Sequence, residues 1–397
     1  MLVRSLCTFL FLPVAVGATQ IVPSAWQVEQ ALEPRAVRSA AATHASRITI
    51  DAQALRRAEQ LQLHLPGGAV HTVQVNARTE RGGGDFTLSG ALAAGPEYTV
   101  TLTMHAGLLA GLVTAPEGNY EVSPLADGGQ SVFALDQAAF PECAGGDVPE
   151  HVPDAAVPAA VTADPPNRIE LLVMYSPQAL EGAGGVTQIR TLAQAAVDAA
   201  NTAFRNSDMV ARFVLLDVRP VTRDEDEDDL NWIVNNAEVA RIRNEVGADL
   251  VSLIVESSLD GCGVAKVMRN PGPGFANLAY QVTKRSCAVG NLSFAHEHGH
   301  NMGMEHNPED GTDQDNASYD WSYGHYVSGS YRTVMSYSDP CSSSCPRRPY
   351  FSNPAVTFNG VPTGIAGARD NHRTGNLTAP IVANFRPSER LFANGFN

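Results

Sequence analysis

The chain is expected to fold as an α/β layered domain preceded by a small β-rich domain, and three observations point there. Beyond residue 168, apolar strand-like runs alternate with segments of helical spacing. Before residue 145 the pattern is mainly alternating and β-branched, with glycine and proline between segments. Between them lies an Ala-, Pro- and Asp-rich stretch without hydrophobic periodicity. The 397 residues exceed the roughly 100–200 usual for one domain, and a composition 44% hydrophobic and 17% charged is ample for a core.

The first residues read as an export signal over 1–18. Arg4 supplies the positive start, Leu6 to Val16 the apolar run, and Ala15, Gly17 and Ala18 the small residues of a cleavage site. That run falls short of the about 20 residues that span a bilayer, so the expectation is a secreted protein, extracellular or periplasmic, with no stable membrane anchor. The 27 basic and 42 acidic residues give a formal charge of -15, which argues against nucleic acid or an anionic membrane as partner.

Residues 19–145 read as a β-rich domain with strands at Arg47–Ile50, Val70–Val75, Asp85–Leu88, Tyr98–Met104 and Val132–Leu135, preceded by a helix-prone stretch near Trp26–Arg38. Residues 146–167 read as an exposed linker, the kind of segment that processing enzymes cut. The domain over 168–387 opens with a buried strand at Ile169–Tyr175. Ile189, Leu192, Ala196, Val197, Ala200 and Phe204 then mark a helix within Thr187–Phe204. Strands follow at Val210–Val218, Leu250–Glu256 and Ala276–Val282, with a short helix over Ala237–Val246 and another starting near Asn291. The acidic run Asp224–Asp229 reads as a solvated loop. The tail 388–397 has no pattern to interpret.

The chemistry concentrates in His296-Glu297-His298-Gly299-His300-Asn301-Met302-Gly303-Met304-Glu305-His306. Residues four apart share one face of a helix, so His296 and His300 can aim at one ion. Glu297, one position on, stands close to that ion without being a ligand, where it can take the proton of an activated water. Gly303 lets the chain leave the helix sharply and bring His306 round as third ligand. Three imidazoles leave the fourth position of Zn2+ open, as catalysis requires. The bland alternative, a surface helix rich in histidine, does not account for five fixed positions in one window. His298 would point away from the ion, and His325 and His372 lack ligand spacing.

With His296, Glu297, His300, Gly303 and His306 in place, the segment resembles the metzincin metallopeptidases, whose signature is H-E-x-x-H-x-x-G-x-x-H followed by a methionine turn. Thr333-Val334-Met335-Ser336-Tyr337 is similar to that turn. Within metzincins the stretch looks most like the reprolysin type, and the layout of about 165–387 is similar to bacterial reprolysin-like and peptidyl-Asp metalloendopeptidase sequences. Asn307 departs from the Asp that reprolysins usually carry after the third histidine. The resemblance implies a twisted mixed sheet with an active-site helix, Met335 as an apolar floor beneath the metal, and a β-rich prodomain. It also implies two readings for Tyr337: a zinc ligand at rest that swings to the oxyanion, or a packed ring.

Exported cysteines are expected to pair. Cys7 leaves with the signal, and five remain. Cys341 and Cys345 enclose a short loop after the Met-turn, while Cys262 and Cys287 could staple the edge-strand region to the run-up into the active-site helix. Cys143 is left over. It reads either as a free thiol or as a cysteine switch whose thiolate fills the fourth zinc position until the linker is cut, by a processing protease or by autoprocessing. Asp310-Gly311-Thr312-Asp313-Gln314-Asp315 clusters oxygen ligands but lacks EF-hand spacing, so it reads as a solvated loop before it reads as a Ca2+ site. The expected substrates are proteins or peptides lying extended along an edge strand within Phe275–Val282. The competing class, a zinc-binding adhesion or inhibitory module, has no use for Glu297.

Overall fold

A computed structural model of the chain describes residues 22–147, 165–310, 316–341 and 345–386. The signal over 1–18, residues 148–164 of the linker, residues 311–315 of the acidic loop and the tail 388–397 lie outside the described residues.

The N-terminal part is one antiparallel sheet: β1 (Trp26–Leu32), β2 (Ala42–Ile50), β3 (Gln60–His64), β4 (Val70–Gly82), β5 (Asp85–Leu92), β6 (Gly95–His105), β7 (Leu108–Ala115), β8 (Gly118–Pro124) and β9 (Gln130–Leu135), with the short helix α1 (Ala52–Arg57) after β2. The strand order is β1-β2-β9-β8-β7-β6-β5-β4-β3. The sheet curls until its edges meet, because Ala25 N–H donates to the Gln62 carbonyl at 2.9 Å and Gln62 N–H to the Pro23 carbonyl at 2.8 Å. Curling leaves little edge for stray strand pairing. It encloses a core that includes Trp26, Leu63, Phe86, Leu102 and Val122.

The expected helix near Trp26–Arg38 is not formed. Residues 26–32 extend as β1 along β2, and Pro34–Val37 forms only a 3-10 turn. Burial of the Trp26 ring, whose Nε1–H reaches the His64 carbonyl at 2.8 Å, overrides local helix propensity.

The second sheet has six strands in the order β10-β14-β15-β13-β11-β12: β10 (Gly146–Asp147), β11 (Arg168–Tyr175), β12 (Arg212–Pro220), β13 (Leu250–Val255), β14 (Gly263–Lys266) and β15 (Tyr280–Lys284). All neighbours run parallel except β14 against β15. The helices are α2 (Pro177–Ala183), α3 (Val186–Asn206), α4 (Asp229–Asn235), α5 (Ala237–Val246), α6 (Ser293–Asn301) and α7 (Asn371–Val382). Alternation along β11 sorts side chains into two layers. Ile169, Leu171 and Val173 pack with α3 and α6, while Leu172 and Met174 face Leu230, Ile233 and Ile242 of α4 and α5.

Helix α3 also carries the N-terminal sheet. Ala110 and Leu112 of β7 join its apolar cluster, and its buried Asp198 accepts from Thr103 Oγ1 at 2.6 Å and from Thr87 Oγ1. Disulfides join Cys262 to Cys287 and Cys341 to Cys345, and Cys143 is a free, half-buried thiol.

Two expectations fail on local grounds. Pro273 starts a 3-10 turn over Pro273–Leu278, so the strand begins only at Tyr280 and lies inside the sheet between β14 and β13. Beyond residue 168, the outer strand on this side of the sheet is β14, with β12 at the opposite edge. The run Asp224–Asp229 is not merely solvated: Glu225 accepts from Ser176 Oγ at 2.5 Å and from Ser257 N–H at 2.8 Å, and Asp229 is buried against Ser258 Oγ.

Candidate active site

All nine residues of α6 are buried, held between α3 and strands β14 and β15. The helix ends where Gly303 takes φ +83, a left-handed conformation that glycine adopts without a Cβ penalty. Met304 N–H donates back to the Gly299 carbonyl at 2.9 Å, closing the turn that returns His306 toward the helix. Nε2 of His306 lies 3.1 Å from Nε2 of His296 and 3.0 Å from Nε2 of His300.

Those short contacts are not ordinary hydrogen bonds. His296 Nδ1 faces the Val334 carbonyl at 2.8 Å, His300 Nδ1 the Met304 carbonyl at 2.9 Å, and His306 Nδ1 the Asp310 carboxylate at 2.8 Å. A neutral imidazole that donates outward through Nδ1 has only a lone pair at Nε2. Burial pushes His296 and His300 well below the usual imidazole range. Lone pairs thus converge on one point, an arrangement that calls for a cation. A tetrahedral ion about 2.0–2.1 Å from each nitrogen would set the nitrogens about 3.3 Å apart, near the observed spacing. Cys143 Sγ completes the group, and the four ligand atoms lie within 4.8 Å of one another.

Glu297 borders the group on the side of β14. Its Oε2 accepts from Cys143 Sγ at 3.5 Å, its Oε1 is buried without a hydrogen-bond partner, and burial raises it to about 8, against the pull of Cys143 and Arg347. A Cβ at Gly263 would stand 2.4 Å from Glu297 Oε1, so glycine in β14 makes the carboxylate's room. Met335 lies beneath the helix: a Cβ at Gly299 would stand 2.4 Å from its Sδ. The Tyr337 ring packs on His306 with centroids 4.1 Å apart, and its hydroxyl donates to the Cys143 carbonyl at 3.1 Å.

His298 turns to the opposite face, bonded to Ser252 Oγ at 2.7 Å and edge-on to Phe213 and Phe294. His372 is engaged by Asp370 and Asn376 away from the group. The buried Asn307 Oδ1 accepts from Tyr337 N–H at 2.8 Å and Ser336 Oγ at 3.0 Å. An acceptor at this position is what ties the third histidine to the methionine-containing turn, and an amide oxygen supplies it as a carboxylate would.

Several contributors were missed in the sequence. Asp310, read only as part of an oxygen-rich loop, orients His306. Segment 142–147 runs along β14: Cys262 N–H donates to the Glu142 carbonyl at 2.9 Å, Ala144 N–H to the Gly263 carbonyl at 2.8 Å, and Val267 N–H to the Asp147 carbonyl at 3.0 Å. A Cβ at Gly261 would stand 2.5 Å from Ala144 N. The Gly261-Cys262-Gly263 stretch was the available signal, since paired glycines at a strand allow close backbone approach.

Residues 166–352 match the family described as metallo-peptidase family M12, and residues 22–135 match the BamI lipocalin-like domain. A peptidyl-Asp metalloendopeptidase of Xanthomonas campestris is 29% identical over 89% of this chain and 88% of its own. One of Stenotrophomonas maltophilia is 31% identical over 57% of this chain and 55% of its own. Metalloproteinase-II of Bacteroides fragilis superposes with TM-score 0.36 at 12% identity, over 73% of this chain and 86% of that one. The chain thus carries a match to metallo-peptidase family M12 over residues 166–352 and is a metalloendopeptidase, a hydrolase of peptide bonds.

Proposed function

We propose that the chain is the latent precursor of a secreted, zinc-dependent endopeptidase of the metzincin type. In this reading 1–18 direct export, 19–145 form the propeptide domain, the linker 146–167 is cut, and 168–387 are the enzyme. The observation that carries it is the convergence of three Nε2 lone pairs whose Nδ1 atoms are each held by an acceptor. Zinc held by His296, His300 and His306 would polarise the scissile carbonyl and bring a water's pKa near neutrality.

Glu297 is the general base. Its carboxylate takes the proton of the attacking water and returns it to the leaving amine, and the absence of a partner at its buried Oε1 suits that shuttle. Met335 is the apolar floor under the ligand helix, and the Tyr337 hydroxyl is available for the oxyanion once Cys143 withdraws. Substrate lies extended along β14, the path that 142–147 now follows. Cys143 is the switch: its sulfur, within 4.8 Å of the three imidazole nitrogens, would fill the coordination position that water needs. The relatives' names carry a preference for aspartate, and we extend it to this chain.

The test compares processed wild type with Glu297→Ala for metal content and casein hydrolysis, with and without a zinc chelator. Glu297→Ala should keep about one zinc per chain and lose several orders of magnitude in rate, and the chelator should silence wild type. A variant retaining a tenth of wild-type activity refutes the assignment of the base. Chelator-insensitive hydrolysis refutes the metal.

A further inference from the structure

Against the 333–337 turn, two guanidinium groups are buried together, both donating to the Ser336 carbonyl. The Arg332 and Arg347 side chains are 1% and 2% exposed. Fixed carbonyls hold part of each fork. Arg332 donates to the Ser336 carbonyl at 2.9 Å and the Cys345 carbonyl at 3.3 Å, and Arg347 to the Asn291 carbonyl at 2.9 Å. Carbonyl dipoles do not neutralise two buried cations, and leaving such charge uncompensated is costly.

The compensating anion comes from the N-terminal part. Glu142 Oε2 stands 3.3 Å from Arg332 Nη1 and 3.4 Å from Arg347 Nη2. Its Oε1 accepts from Ser338 N–H at 2.6 Å and from Ser338 Oγ. Although burial alone would raise it, these partners hold the Glu142 carboxyl below its ordinary range. The carboxylate is therefore received by four donors in a largely buried recess. Glu142 also directly precedes Cys143, whose sulfur joins the histidine group, so the recess opens one residue from the position where bond cleavage would occur.

We propose that Arg332, Arg347 and Ser338 form the subsite that reads an acidic side chain bordering the scissile bond, and that Glu142 plugs this subsite in the precursor. This rests on the endopeptidase reading above. Release of the propeptide removes the carboxylate but not the guanidinium groups, so the recess then favours a substrate that brings an aspartate or glutamate. Rejection of a neutral isostere follows from the same donors, because an amide brings no charge to either cation and sets its own N–H groups against them. Glu142 thus joins latency to specificity through one set of contacts.

The test uses processed enzyme and quenched peptides differing only at the residues flanking one bond. Peptides with Asp should exceed Asn and Ala counterparts in kcat/KM by at least about 100-fold, and the Asp-to-Asn ratio should fall to within about tenfold in Arg332→Met and Arg347→Met. The ratio is insensitive to the fraction of enzyme folded, so a purely structural role for the arginines leaves it unchanged. Should the variants not fold, a peptide spanning 140–147 decides: as an inhibitor of wild type it should weaken by about tenfold or more on Glu142→Gln. Equal cleavage of Asp and Asn peptides by wild type, an unaltered ratio in folded variants, or equal inhibition by the two peptides overturns the subsite and leaves the endopeptidase standing. Failure to cut any peptide overturns the endopeptidase reading itself.

Discussion

Glu121 gives the sharpest test of how the N-terminal sheet is held on the rest of the chain. It lies in β8 between Leu112 and Phe133 of the neighbouring strands, is 5% exposed, and meets the protease half at Gly290, where an added Cβ would stand 2.4 Å from its Oε2. Burial raises the carboxyl from 4.5 to about 8, even though Arg285 and the Gly290 N–H pull it down. A raised folded-state pKa means that the folded precursor binds a proton which the unfolded chain has released. The associated stability is fully present below pH 4.5 and is lost as pH rises toward 8. A shift of 8 − 4.5 = 3.5 units corresponds to an upper limit of about 5 kcal/mol. Glu121→Gln is isosteric with the protonated acid and does not titrate. Urea unfolding of the two full-length chains, both in a Glu297→Ala background to guard against self-cleavage, should coincide near pH 4. Glu121→Gln should be more stable by about 2–4 kcal/mol at pH 8. Asp249, also raised to about 8 by burial, titrates in both and cancels in the difference. A pH-independent gap between the two would refute burial of an acid as the cause.

Three further outcomes follow from the geometry. Uncut Cys143→Ser precursor should hydrolyse a quenched peptide above the wild-type precursor but below processed enzyme, since a hydroxyl is a far poorer zinc ligand while Glu142 and β10 still cover the cleft; equal silence would leave Cys143 no role in latency. Asp310→Ala should weaken zinc binding about 10–100-fold in a competitive chelator titration, because His306 loses the carboxylate that fixes its tautomer, and unchanged affinity would show that the contact does not orient the ligand. Gly299→Ala should destabilise by about 1–3 kcal/mol in urea unfolding despite the better helix propensity of alanine, as its Cβ collides with buried Met335; a stabilised variant would show that Met335 yields freely.

What was legible in the sequence is what short range encodes. The repeat of His296 and His300 at one helical turn, with Gly303 before His306, is local chemistry and reads directly. So do β11 and α3, whose apolar periodicity is long and uninterrupted. An odd cysteine count singled out Cys143 without reference to space. Other features depend on partners far along the chain. Trp26–Leu32 looks helical until the ring of Trp26 is given a barrel to fill. The strand expected from Ala276 starts late because Pro273 first sets a 3-10 turn. Gly263 carries no meaning until Glu297 is placed beside it, 34 positions on. Arg332 and Arg347 would pass as surface cations, since nothing local announces that Glu142 meets them across 190 and 205 residues.

The same distances bear on how latency could end. Segment 142–147 makes three kinds of contact with the cleft, yet each is limited. Its pairing with β14 in strand β10 extends over two residues, its thiol binds strongly only where a cation draws off the proton, and its carboxylate competes with any acidic peptide that reaches Arg332 and Arg347. A free peptide with these contacts would exchange readily. Held at the end of β9 by a folded domain, the same six residues face the cleft at an effective concentration that a free peptide cannot match. The linker follows this segment in the chain, so a cut between 148 and 164 leaves the plug attached to its own domain. The contacts of that domain on α3, around Asp198, Thr87 and Thr103, and at Gly290, around Glu121, then govern departure. In the proposed latent precursor, cleavage of the linker would therefore be necessary but not rate-setting, and whatever weakens the seat on α3 would set the rate at which water, and then substrate, reaches His296, His300 and His306.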